Sequence, residues 1–107
     1  MSMKEIEVSQ LAEKIAAGYK VVDVRELNEY NEAHIPSAVH VPLQTVPDNL
    51  DAFRSEQDVF VVCQVGGRSG KACQYLIDQG VTNVVNVAGG TAGWMLLGND
   101  VDSGTTA

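Results

Sequence analysis

Cys63 stands where a reactive thiol would. It closes the apolar run Val59-Phe60-Val61-Val62 and opens Gln64-Val65-Gly66-Gly67-Arg68-Ser69, after which a helix-like stretch begins. Two glycines let successive N–H groups converge, because they accept conformations that a Cβ forbids. Converging N–H groups form an anion-binding nest, and a helix start adds a partial positive charge. Arg68 adds a full charge and a planar fork of donors. A thiolate, the nucleophilic form of cysteine, is favoured by all three. The expectation is a Cys63 pKa lowered toward the range of about 3.5–7.5 of activated cysteines. An inert cysteine buried at a strand end has no need of this setting.

The same loop has a phosphate-binding look in Gly66-Gly67-Arg68-Ser69-Gly70-Lys71-Ala72. Only three residues separate Gly66 from Gly70, and Ala72 stands where a magnesium-binding Ser or Thr is required, so a nucleotide loop is disfavoured. The second cysteine, Cys73, has Leu76 and Ile77 three and four residues on, which is core spacing. The Cys63–Cys73 separation is not that of a dithiol motif. Two cysteines and two histidines give no zinc spacing, and neither a metal nor a cofactor is expected.

The elements that must position the thiol alternate along the chain. Short strands are predicted at Ile6–Val8, Lys20–Val24, Val39–Val41, Val59–Val62 and Val84–Val87. Helices are predicted over 10–17, with Ser9 as N-cap and Gly18 as stop, then 26–32, 49–53, 69–79 and 91–97. Pro42 and Pro47 bracket a loop. Alternation of this kind predicts an α/β fold: three layers, with a central parallel sheet of about five strands and helices on both faces. Reactive groups in such folds sit beyond the C-terminal strand ends, where Cys63 falls. Residues 1–98 read as one domain and 99–107 as a polar, frayed tail.

With 107 residues and 45% apolar content, the chain can build a core without staples. A net charge of −7 argues against nucleic-acid and anionic-membrane partners. The N-terminus carries no apolar signal segment, so a cytoplasmic location is expected.

Four stretches in order resemble rhodanese-like domains. Cys63-Gln64-Val65-Gly66-Gly67-Arg68-Ser69 is similar to that family's C-x-x-G-x-R-S loop, and Val21-Val22-Asp23-Val24-Arg25-Glu26 to its D-V-R-E strand end. Glu29-Tyr30 through His34-Ile35-Pro36-Ser37-Ala38 resembles E-(F/Y)-x-x-G-H-I-x-G-A, with Ala33 and Ser37 at positions often glycine. Gly89-Gly90-Thr91-Ala92-Gly93-Trp94 is similar to G-G-x-x-x-W. The resemblance implies a thiosulfate:cyanide-type sulfurtransferase working through a Cys63 persulfide. The donor would be thiosulfate or a persulfide, and the acceptor cyanide or a thiol. Gln64, Val65, Gly66, Gly67, Arg68 and Ser69 would bind the substrate, with Arg68 helping to hold an anionic donor. A sulfur carrier or binding module acting with a protein partner is the alternative. Phosphatases and arsenate reductases of the same fold use C-x5-R, whereas Arg68 follows Cys63 after four residues. The smaller loop suits one sulfur atom.

Supporting roles follow more loosely. Asp23 is read either as an anchor for the loop or as the N-cap of the helix near Glu26. Arg25 and Glu29, four apart, are read as a surface pair. His34 is read as a loop brace, and Trp94 as a rim residue or an anchor of the last helix.

Overall fold

The computed structural model describes residues 3–104. Five strands form one parallel sheet: β1 (Lys4–Glu7), β2 (Lys20–Asp23), β3 (Val39–His40), β4 (Val59–Val62) and β5 (Val84–Ala88), in the order β1-β5-β4-β2-β3. All four neighbouring pairs are parallel. The helices are α1 (Leu11–Ala16), α2 (Leu27–Glu32), α3 (Gly67–Asp78) and α4 (Gly90–Leu96).

Strand β4 is buried along its whole length, as the middle of a parallel sheet covered on both faces requires. Phe60 and Val62 point to a core shared with Leu11 of α1, Tyr30 of α2 and Trp94 of α4. Val59 and Val61 point to the other core, which holds Ala72, Cys73 and Leu76 of α3 together with Val46 and Phe53. The expected three-layer α/β architecture is therefore present. From β4 the chain moves to β5 on one side, and from β2 it moves to β3 on the other. That reversal opens a crevice beyond the ends of β2 and β4, where Asp23 and Cys63 lie.

Several local expectations differ from the structure. Ser9 caps nothing: Val8–Gln10 is a 3-10 turn entered by a reciprocal Glu7–Gln10 capping box, and α1 begins only at Leu11. The proline-bracketed loop is wound into 3-10 turns over Leu43–Asp48 and Leu50–Phe53, pinned by buried Val46 and Phe53. Pro47 is tolerated there because short 3-10 turns leave many N–H groups unpaired anyway. The segment read as a frayed tail is tied down as far as Gly104. Asp102 and His34 exchange main-chain bonds of 2.8 and 2.9 Å, Gly104 N–H donates to Asn31 O at 2.7 Å, and Val101 packs against the core. Residues 105–107 of that expectation lie outside the described residues. No helix among the described residues is long and apolar enough to cross a membrane.

Candidate active site

The loop after β4 is shaped from behind. Its carbonyls are taken by the turn into α4: Thr91 N–H donates to Cys63 O at 2.9 Å, Ala92 N–H to Gln64 O at 3.0 Å and Gly89 N–H to Val65 O at 3.2 Å. With the carbonyls held away, the loop amides turn inward. Gly66 N–H points at Cys63 Sγ at 3.1 Å, from a backbone φ of +115° that favours glycine. Helix α3 starts at Gly67, two residues earlier than expected, and places the Ser69 hydroxyl 3.3 Å from the same sulfur.

Burial is the largest influence on Cys63 and pushes its thiol up. The Ser69 hydroxyl and the amides of Ser69, Gly66 and Val65 push the other way and together prevail, so the thiol sits below its ordinary value. Cys63 has no exposed surface, whereas neighbouring Val65 is 67% exposed. Cys73 is likewise buried, on the α3 face toward the core. Burial, with lesser contributions from Cys63 and Glu5, pushes its thiol up to about 12. It is core filler, as its spacing indicated.

Arg68 departs from expectation. Its guanidinium forks onto Glu29, Nη1 to Oε1 at 2.7 Å and Nη2 to Oε2 at 2.9 Å. Those bonds hold the Glu29 carboxyl down at about 2 and raise Arg68 further. The hydroxyl and amides of the loop are the leading causes of the lowered thiol, and Arg68, turned onto Glu29, acts on Cys63 only through its charge. The supposed Arg25–Glu29 pair is absent. Arg25 precedes the first residue of α2 and turns inward, where the Asp23 carboxylate receives its Nε and Nη2 at 2.9–3.1 Å. Asp23 Oδ1 also accepts the Arg25 main-chain N–H at 2.9 Å.

The Asp23 carboxylate thus neither hydrogen-bonds the loop nor caps the helix, which Glu26 caps itself. Its effect passes through Arg25, whose Nη1 donates to Gln64 Oε1 at 3.1 Å and whose Nη2 donates to Ala33 O. This ion pair is buried and fully hydrogen-bonded, which is the condition for burying charge. His34 braces its segment by donating from Nδ1 to Tyr30 O at 2.8 Å and by stacking on the Tyr30 ring. Trp94 is an anchor: it lies in the core and donates from Nε1 to Asp100 O at 2.8 Å.

Two features of the site escaped the sequence reading. The Gly89-Gly90 pair, which the sequence offers as the start of the G-G-x-x-x-W match ahead of the last helix, supplies the clamp on the loop. Asn86 of β5 receives the Ser69 hydroxyl at 2.5 Å. Its signal was available, since a lone polar residue within Val84-Val85-Asn86-Val87 must find hydrogen bonds when buried. Among the described residues, no group of three or more His, Cys, Asp or Glu side chains could hold a metal ion. The roughly 470 Å³ cavity beside Tyr30, His34 and His40 includes no residue of the thiol loop.

The family described as Rhodanese-like domain matches residues 7–97. YtwF of Bacillus subtilis (strain 168), which carries a provisional sulfurtransferase name, is 38% identical over 88% of this chain and 92% of its own length. The thiosulfate sulfurtransferase GlpE of Shewanella oneidensis is 31% identical over 87% of this chain and 93% of its own. A rhodanese-like domain protein from Staphylococcus aureus superposes with a TM-score of 0.82 at 32% identity, covering 96% of this chain and all of that one.

Proposed function

The chain belongs to the rhodanese-like domain family, and from that premise we propose that it transfers sulfane sulfur through a persulfide on Cys63. The Cys63 thiolate attacks the outer sulfur of the donor. With thiosulfate, the S–S bond of the donor breaks and sulfite leaves with the bonding electrons. A nucleophilic acceptor, cyanide or a thiol, then takes the outer sulfur, and the electron pair of the Cys63 persulfide bond returns to Sγ. Both steps are redox-neutral displacements. The observation that carries this reading is the aim of the Gly66 N–H, at 3.1 Å, and the Ser69 hydroxyl, at 3.3 Å, on the Cys63 sulfur at the start of α3, where the Val65 and Ser69 amides also favour its anion. Donors already aimed at the charge need no reorganisation during reaction. Phosphatase chemistry lacks such support, because the two acids by the loop are both locked onto arginines, Asp23 onto Arg25 and Glu29 onto Arg68.

The test is intact-mass measurement. Incubation with thiosulfate or a small persulfide should add one sulfur atom at Cys63, and cyanide should remove it. A folded protein that gains no mass from either donor would refute the proposal. A cytoplasmic location and a protein sulfur donor or acceptor belong to the same reading.

Glu29 bears on the choice of donor. An anionic donor that is to use Arg68 must displace the Glu29 carboxylate from it, in a chain of net charge −7. Glu29→Gln is expected to lower the KM for thiosulfate about fivefold, the size of a half-exposed ion pair. The KM for an uncharged persulfide should stay nearly constant, and kcat should change little for either donor. Steady-state kinetics with both donors decide the matter; equal shifts in both KM values would remove Glu29 from donor selection.

A further inference from the structure

The Ser69 hydroxyl carries one proton and faces two acceptors, Cys63 Sγ at 3.3 Å and Asn86 Oδ1 at 2.5 Å. The Asn86 amide cannot turn over to relieve this competition. Its Nδ2 donates to Glu5 Oε2 at 2.8 Å and to Gly66 O at 3.2 Å, and both of these atoms only accept. Rotating the amide would set Oδ1 against two acceptors. Oδ1 is therefore fixed toward Ser69. Register pairing of Glu5 with Asn86, on β1 and β5, holds the arrangement in place.

We propose that Asn86 is a positioning residue that draws the Ser69 proton away from Cys63, so that the hydroxyl stabilises the sulfur less than it would without this competing acceptor. In the neutral state the Cys63 S–H donates to Ser69 Oγ while the Ser69 O–H donates to Asn86. In the thiolate state sulfur and Asn86 compete for the single hydroxyl proton. The consequence is a more basic thiolate than the loop would otherwise produce. Thiolate nucleophilicity falls as its pKa falls, so restraint of this kind keeps the sulfur reactive.

Other charged or titratable groups stand around the thiol. Glu5 on β1 accepts from Asn86 Nδ2, Cys73 on α3 is kept neutral by burial, Arg68 on α3 favours negative charge on Cys63 but is bound by Glu29 of α2, and the Asp23–Arg25 pair is internally neutral. None of them bonds the Ser69 hydroxyl directly, and this separates them from Asn86 in the test.

The test measures the rate of Cys63 alkylation by iodoacetamide against pH, with the modified site read by peptide mass so that Cys73 does not contribute. It needs no sulfur transfer, so its failure and the failure of the sulfurtransferase reading are distinct. Ser69→Ala should raise the midpoint. Asn86→Ala should lower it by about half a pH unit or more, because the freed hydroxyl then bonds the thiolate. Asn86→Val, which suits a strand and leaves less room for a water to replace the amide, should move it the same way. In the Ser69→Ala background either Asn86 substitution should shift the midpoint by less than about 0.2 units. A raised or unchanged midpoint in the Asn86 variants would overturn the proposal. So would a shift that survives undiminished without the Ser69 hydroxyl.

Discussion

Cys63→Ser is expected to reduce thiocyanate formation from thiosulfate and cyanide by roughly a thousandfold or more, because a serine hydroxyl at this position is not ionised near neutral pH. The same variant should gain no sulfur mass. Cys73→Ser is the informative contrast. That thiol is buried among Ala72, Leu76 and Val84, and is pushed up to about 12. Its replacement puts a hydroxyl into an apolar core, which costs about 1–3 kcal/mol when unpaired. Chemical denaturation should register that cost while sulfur loading at Cys63 proceeds at the parental rate. Equal losses of loading in the two variants would overturn the assignment of Cys63 as the nucleophile.

Gly90→Ala is expected to damage the site from behind. A Cβ at position 90 would lie 2.4 Å from Cys63 O and 2.6 Å from Gln64 O, both main-chain atoms that cannot rotate aside. The backbone there also has φ +56°, which costs an L-residue about 1–2 kcal/mol. Relief requires α4 and the loop to separate, which stretches the bonds from Thr91 and Ala92 to Cys63 and Gln64. The expected result is a loss of about 2–4 kcal/mol in stability, together with sulfur loading slowed at least tenfold. Gly93→Ala on the same helix is the control. Its Cβ would meet Val8 Cγ1 at 2.8 Å, the end of a side chain, so stability should fall modestly while loading persists. Urea unfolding and time-resolved mass measurement on both variants check the pair; a Gly90→Ala protein that loads at the parental rate would show that the clamp does not shape the loop.

What could be read from the chain before folding was mostly local. Cys63, its glycines and Ser69 lie within seven residues, so the preference of glycine for turning amides inward is visible in the sequence itself. The strands were legible from their valine runs, and their parallel order followed from the alternation with helices. Pairings across the fold were not legible. Arg68 and Glu29 lie 39 positions apart and meet only because α2 and α3 both begin at the crevice. A spacing of four joins Arg25 to Glu29 only if both lie on one helix, and α2 starts at Leu27 with Arg25 in the turn before it. Ser9 has the chemistry of a cap, but Glu7 and Gln10 close the entry to that segment first. The polar tail looked free because its side chains are small; its order comes from main-chain bonds, which composition does not reveal.

Trp94 is the chain's single tryptophan. It sits on the same seven-residue helix whose first N–H groups clamp the thiol loop, with its indole bonded to the tail at Asp100. Indole emission responds to its surroundings, so the protein carries an intrinsic optical probe rigidly coupled to the clamp. Loop rearrangement on sulfur loading can be followed by fluorescence, without a dye and without touching the thiol.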